Sequence, residues 1–516
     1  MKNFFLFSIL FISVIISQFC TANVRMPAVF GNNMVLQQKT EIVVWGWAEP
    51  GEKIKIKGSW NRTKSKSVRA DKDGKWSVKI KTSRAGGPFK LEIKGKNTIC
   101  FNNVMLGEVW LCSGQSNMQW PIWRSNNAEK EIAAANLPNI RLFDVKREIA
   151  DKPKKDCVGN WIECSPETIS NFSAAAYFFG RELNRKLDVP VGLLLSCWGG
   201  TQAENWMPIE TLESNNDFIP ILERYQSNIL CYAENKKEYD EIVLPAWQKQ
   251  VKKAGLKKTP SPKKPNPPID WTKHPRRPNG LYNAMIAPIM PFTIKGVIWY
   301  QGESNCSRAH QYQTLFPALI NSWRKVWSQG DFPFYYVQIA PYRYTKDRSW
   351  ASCELREAQL MALSVTNTGM AVTMDIGNVK DIHPKNKQEV GKRLSLWALA
   401  KDYGYTNIVY SGPIYKSMKI EGDKIRLFFD YAGPGLIAKA GHLNHFTIAA
   451  ADKKFVEAKA EIQGDTIVVS NPKIKKPVAV RYGWTDTAEP NLFNKKSLPA
   501  SSFRTDNWPG LTYNKL

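Results

Sequence analysis

The sequence predicts an α/β protein: a doubly wound, mostly parallel sheet flanked by N-terminal and C-terminal β-sandwich-like domains. Three observations carry this. Apolar strand-like runs alternate with helical patterns through the middle of the chain. Short alternating strands punctuated by turn residues fill both ends. Several central runs stop abruptly at small, polar turns, which is where open α/β sheets place their sites. At 516 residues the chain is too long for one ordinary core, and length alone suggests about three domains.

Met1-Lys2-Asn3, the apolar run Phe4 to Phe19 and the small residues of Cys20-Thr21-Ala22 read as a secretory signal peptide spanning 1–22. The run is short of a bilayer span, and Ser17-Gln18-Phe19 fits a lipobox poorly. No other segment is apolar enough to suggest stable membrane association. From 23 to 103 short alternating runs such as Glu41 to Gly46 and Lys75 to Ile80 predict a small β-sandwich, with Asp71-Lys72-Asp73-Gly74 as a hairpin-type turn.

The region 104–405 predicts strands at Val109–Cys112, Ile140–Val145, Val191–Ser196, Gly296–Tyr300, Phe334–Ile339 and Met370–Met374. Helical patterns fall at Ala174–Leu187, Gln311–Val326, Glu354–Ser364 and Gln388–Ala400. The alternation fails around 206–279, where a helical piece, Tyr232 to Val251, gives way to proline-rich sequence. This insertion either walls a substrate cleft or is a passive surface excursion. From 406 to 516 alternating strands return, and Trp484, Trp508 and Tyr513 are either sugar-stacking or core aromatics.

Chemistry concentrates at the strand ends. Ser116 follows the apolar run Val109-Trp110-Leu111, with Gly114 two residues before it. A tight turn there exposes a hydroxyl above the sheet, as a nucleophile requires. A serine also needs a base, usually histidine. Of the five histidines, His383 follows a strand and has a carboxylate, Asp381, two residues before it.

The segments Ser113-Gly114-Gln115-Ser116-Asn117-Met118, Cys197-Trp198-Gly199-Gly200-Thr201, Trp299-Tyr300-Gln301-Gly302-Glu303-Ser304-Asn305 and Asp381-Ile382-His383-Pro384-Lys385-Asn386-Lys387 together resemble the sialate O-acetylesterase family. That family belongs to the SGNH (GDSL-like) hydrolases, whose relatives include acetylxylan and acetyl-xyloglucan esterases. The matching motifs run from about Gly107 to Leu394. The resemblance implies a serine esterase that removes acetyl groups from sugars, with Ser116 as nucleophile and His383 as general base and then acid. It implies an oxyanion site made by the Ser116 amide, a glycine amide of Gly199 or Gly200, and a side-chain amide from Gln301 or, alternatively, Asn305. Many SGNH hydrolases carry the acid three residues before the histidine, but that position here is Lys380. Asp381, two residues before the histidine, is then the candidate that orients His383, with Asp375 or a serine–histidine dyad without a carboxylate as the alternatives. The implied partner is an O-acetylated carbohydrate, with O-acetylated sialic acid leading and acetylated xylan or xyloglucan behind it. The implied chemistry needs no metal or cofactor. A different class, a non-catalytic sugar-binding protein built on a retired hydrolase core, conflicts with the joint presence of serine, histidine and amide turns.

Without the leader eight cysteines remain, and Cys157 with Cys164 is the best candidate disulfide. No Cys-x-x-Cys occurs, and His442-x-x-His445 stands without a nearby cysteine, which disfavours structural zinc. The formal charge of +26 invites a nucleic-acid reading. Its lysines are spread through every region, as in Lys53-Ile54-Lys55-Ile56-Lys57, the pattern of solvated strand faces, and no nucleic-acid partner is expected.

Overall fold

A computed structural model describes residues 23–61, 64–344 and 351–516. The expected signal peptide, with Cys20, lies outside the described residues. The first strands are β1 (Val35–Gln37), β2 (Glu41–Trp47), β3 (Lys53–Gly58), β4 (Lys66–Arg69), β5 (Lys75–Lys81), β6 (Gly86–Lys94) and β7 (Thr98–Gly114). β2 pairs with β5, while β3 pairs with β4 and β6. Apolar positions of period two on both groups, among them Ile42, Val44, Ile54, Ile56, Leu91 and Ile93, are buried in one core. Asp71 to Gly74 does form a turn, with Gly74 at φ +73. It joins β4 to β5, which are not partners. The turn is therefore a corner between two sheets and not the expected hairpin.

β7 belongs to two neighbourhoods. Its first half pairs with β6, β1 runs parallel to it at Val35–Gln37, and its second half enters the central sheet. The anticipated boundary at 103 falls inside this continuous strand. The single-turn α1 (Ser116–Gln119) follows at once. Next come β8 (Leu137–Asp144), β9 (Trp161–Cys164), α2 (Ala174–Leu187), β10 (Val191–Cys197), β11 (Gly296–Tyr300), α3 (Ala309–Trp327), β12 (Phe334–Val337), α4 (Ala351–Met361), β13 (Thr368–Ala371) and α5 (Lys387–Asp402).

The central sheet has the order β13-β12-β11-β7-β10-β8-β9, parallel throughout except for β9 at one edge. Both faces are covered. Val109, Leu111, Val297 and Trp299 share a core with Leu315 and Phe316 of α3 and Leu355 of α4. Trp110, Cys112, Ile298 and Tyr300 share another with Phe178 and Phe179 of α2 and Val390 and Leu394 of α5. Burial on both sides explains why these strands read as unbroken apolar runs. β10 and β11 lie on opposite sides of β7, so chain direction through the sheet switches at the carboxyl end of β7, the place where such sheets open a crevice.

The stretch 206–279 forms helices at Ile209–Glu213, Ile219–Leu230, Tyr232–Glu238 and Leu244–Leu256, and its returning limb reaches Gly200 through Arg276. From 414 onward antiparallel sheets enclose a separate core of Ile425, Leu427, Ile448, Ile467, Val469, Val480 and Tyr482. Trp484 is buried with Arg481 and Arg504 over its ring, whereas Tyr513 is half-exposed. The cysteines at 100, 112, 157, 164, 197, 231, 306 and 353 are all free. The expected Cys157–Cys164 bridge is absent; Cys164 instead points its thiol at the Ala135 carbonyl, 3.4 Å away.

Candidate active site

The serine turn is built by one close approach. Gly114 ends β7 at φ +138, where an added Cβ would collide with the Tyr300 carbonyl oxygen. Only glycine tolerates both conditions. The neighbouring Gln115 amide donates to that same carbonyl at 3.0 Å, and the Trp198 amide donates to the Gly114 oxygen at 3.2 Å. The ends of β7, β10 and β11 are thereby tied together, and Ser116 is carried up as the first residue of α1.

His383 arrives from the loop between β13 and α5. Its ring stacks on Trp120 with centroids 4.8 Å apart and planes 16° apart. Its Nε2 lies 2.9 Å from Ser116 Oγ, within hydrogen-bond reach for proton transfer. Its Nδ1 lies 3.4 Å from Asp381 Oδ1. The same oxygen accepts the His383 backbone N–H at 3.0 Å, so the two-residue spacing is met by a local side-chain turn. The Asp381 side chain is 40% exposed, against 26% for His383. Asp375 is engaged elsewhere, accepting both Arg393 Nη1 (2.6 Å) and Nη2 (2.7 Å). Burial holds the His383 imidazole below its ordinary basicity; Asp381 opposes this, and Lys387 and Arg124 reinforce it.

The Gly199–Gly200 turn closes on the serine from the other side. A Cβ at Gly199 would stand 3.2 Å from Ser116 Cβ, and the Gly199 amide donates to Gln119 Oε1 at 2.8 Å. Gln301 and Asn305 are fully buried and bonded to the scaffold. Gln301 Nε2 donates to Asn305 Oδ1 at 2.6 Å and to the Thr201 carbonyl at 3.3 Å, while its Oε1 accepts from Tyr312. Asn305 Nδ2 donates to Glu204 Oε2 at 2.9 Å, and its Oδ1 also accepts the Ala203 amide. Among the described residues no hydrogen bond joins either amide to Ser116. Together they fasten the glycine turn to the β11 turn.

A family model described as a carbohydrate esterase, sialic acid-specific acetylesterase, matches residues 267–399. The sialate O-acetylesterase of Rattus norvegicus is 30% identical over 432 residues, 77% of each chain. The Homo sapiens sialate O-acetylesterase is 29% identical over 536 residues, 94% of each chain. The crystal structure of a carbohydrate acetylesterase from Xanthomonas citri superposes with a TM-score of 0.79 at 34% identity, covering 94% of this chain and all of that one. This chain belongs to the sialate O-acetylesterase family. It is a carbohydrate O-acetylesterase, a carboxylic ester hydrolase.

In this esterase the Ser116 neighbourhood includes residues that motif reading passed over. Asn117 donates to Glu303 Oε1 at 2.6 Å and to the Ile382 carbonyl at 3.0 Å, and accepts from Lys387 Nζ at 2.6 Å. Lys387 is fully buried, as is most of Glu303. The signal was present in the helix period: Lys387 shares a stripe with Val390, Gly391 and Leu394, all buried. Arg124 lies over Trp120 at 4.0 Å, and Arg276 donates from Nε to the Gly200 carbonyl at 2.7 Å. Among the described residues neither arginine is paired with a carboxylate. Among them, too, no helix is long and apolar enough to cross a membrane.

Proposed function

We propose that this esterase deacetylates O-acetylated sialic acid, with Ser116 as nucleophile and His383 as general base. The observation that carries the chemistry is the 2.9 Å approach of His383 Nε2 to Ser116 Oγ. Oγ attacks the acetyl carbonyl as its proton passes to Nε2, forming a C–O bond and a tetrahedral oxyanion. Backbone amides of Ser116 and of the Gly199–Gly200 turn stabilise that oxygen, each worth about 3 kcal/mol in comparable sites. The imidazolium returns the proton to the sugar oxygen as the acyl C–O bond to the sugar breaks. Water, deprotonated by His383, then releases acetate and restores the serine. The neutral imidazole favoured by burial is the form this needs, and Asp381 beside Nδ1 favours the tautomer with its proton on that nitrogen.

Two features support an anionic sugar. The relatives at 29–30% identity are named sialate O-acetylesterases. Arg124, over the Trp120 ring that stacks on His383, and Arg276, at the Gly200 carbonyl, have no carboxylate partners among the described residues, an arrangement suited to a substrate carboxylate. We further read the core as SGNH-type, flanked by β-sandwich-like domains with boundaries near 103 and 405, and the leader at 1–22 as exporting the enzyme. Acetate release from 9-O-acetylated sialic acid, acetylated xylan and acetylated xyloglucan, measured side by side, tests the substrate. The highest kcat/KM is expected on the sialic acid; a higher value on either plant glycan overturns that assignment. Ser116→Ala should abolish release from all three while leaving a folded protein.

A further inference from the structure

Behind the reacting pair lies a buried polar cluster that the mechanism above does not use. Lys387 opens α5 and is 0% exposed. Its Nζ donates to Asn117 Oδ1 at 2.6 Å and stands 4.7 Å from the centre of the Tyr300 ring. Asn117 directly follows Ser116, and its amide nitrogen bonds both Glu303 Oε1 and the carbonyl of Ile382, the residue directly before His383. One side chain, carried by the serine turn, thus bonds the β11 turn and the histidine loop, and a lysine from α5 fixes which way round that side chain sits. Burying an ammonium costs several kcal/mol, and an apolar residue on the α5 stripe would pack with less penalty.

We propose that Lys387 and Asn117 are positioning residues: the Lys387 ammonium locks the Asn117 amide so that it holds the Ile382–His383 peptide, and with it His383 Nε2, at Ser116 Oγ. The ammonium has a second effect. As a nearby positive charge it disfavours protonation of His383 and keeps the base free. The groups facing His383 are Ser116 and Trp120 from the serine turn, Arg124 beyond Trp120, Asp381 from its own loop, and Lys387. Those facing Lys387 are Asn117, Tyr300, Glu303 and Asp381. Burial brings Lys387 down to about 7, with Glu303 and Asp381 opposing, and pushes the Glu303 carboxyl up. His383 titrates below its ordinary value, so the ammonium is largely retained where the imidazole titrates.

This inference rests on Ser116 and His383 being the reacting pair, and the test separates the two claims. Turnover of 4-nitrophenyl acetate is followed against pH for the wild type, Lys387→Met, Asn117→Ser and Ser116→Ala, with thermal unfolding recorded for each. Lys387→Met should lower kcat about a hundredfold, the cost of a small misplacement of a catalytic group, with KM little changed. It should also move the acid limb of kcat/KM upward, towards the ordinary imidazole value. Asn117→Ser should lower kcat similarly while leaving the acid limb in place, because the ammonium remains. A folded Lys387→Met enzyme with wild-type kcat and an unmoved acid limb overturns the proposal. If that variant does not fold, wild-type kcat in Asn117→Ser overturns it instead. Turnover persisting in Ser116→Ala would remove the reacting pair itself, whatever the other variants do.

Discussion

At the scale of single residues, the proposed base, His383, has reduced basicity, and the proposed acid, Asp381, is held off the ideal line. His383 is pushed down chiefly by burial. A base is active when unprotonated, so kcat/KM should fall as pH drops through the His383 pKa. That acid limb is expected below the ordinary imidazole value of about 6.5, and a limb at or above it would contradict the reading. Asp381 is 3.4 Å from Nδ1, half in solvent, and shares its oxygen with a backbone amide. Asp381→Asn should therefore cost about tenfold to a hundredfold in kcat, well short of the roughly ten-thousand-fold loss when a buried, well-aligned aspartate is neutralised. Asp375→Asn should behave differently. It breaks a largely buried double contact with Arg393, so the expected loss is in stability, about 3 kcal/mol by denaturant unfolding, with kcat little altered. The motif spacing could nominate both aspartates; only the folded loop assigns one to the imidazole and the other to an arginine.

At the scale of elements, the candidate site depends on how the ends of three parallel strands meet. Gly114 permits β7 and β11 to approach until the Gln115 amide bonds the Tyr300 carbonyl. Gly114→Ala sets a Cβ against that carbonyl at a positive φ, and strain of this kind costs at least about 2 kcal/mol. Denaturant unfolding should register that loss, accompanied by a fall in esterase kcat as Ser116 moves; an unchanged midpoint with unchanged kcat would show the turn to be tolerant. The strands and helices themselves were legible because burial on both faces leaves continuous apolar runs and 3.6-residue periods. Ala174–Leu187 is observed with the bounds its pattern predicts. Pairing was less legible. The Asp71–Gly74 turn reads as a hairpin from composition, yet β5 pairs with β2, because turn residues specify a reversal and not a partner.

At the scale of the whole molecule, the parts are joined through buried polar contacts. Arg356 of α4 is 0% exposed and donates to Ser502 Oγ (3.1 Å) and the Thr485 carbonyl (2.7 Å), both in loops of the C-terminal region. Gln338, just past β12, donates to Ser501 Oγ at 2.7 Å, and Glu354 accepts the Thr512 amide at 2.9 Å. Removing 406–516 would leave a guanidinium and a carboxylate buried without these partners, a cost of several kcal/mol. The truncated chain is expected to be insoluble or inactive. A soluble truncation retaining wild-type turnover of 4-nitrophenyl acetate would show that the core stands alone.

The sequence by itself determined the α/β class with its central sheet, the positions of most central strands and helices, and the candidates Ser116 and His383, since these depend on periodicity and on motifs written in consecutive residues. It could not determine the partners of buried polar side chains. Gln301 and Asn305 were expected at the oxyanion, and in the folded chain their amides already bond each other, Thr201 and Glu204. Lys387 stands in the sequence only as the last residue of a motif, and in the folded chain its ammonium is buried and bonds Asn117 behind the serine turn. Cys157 and Cys164 are close in sequence, yet Cys164 faces Ala135. The physical reason is common to all three. A hydrogen bond or a disulfide is a relation between atoms whose separation is set by contacts from distant segments, so the tertiary structure alone decides which donor meets which acceptor.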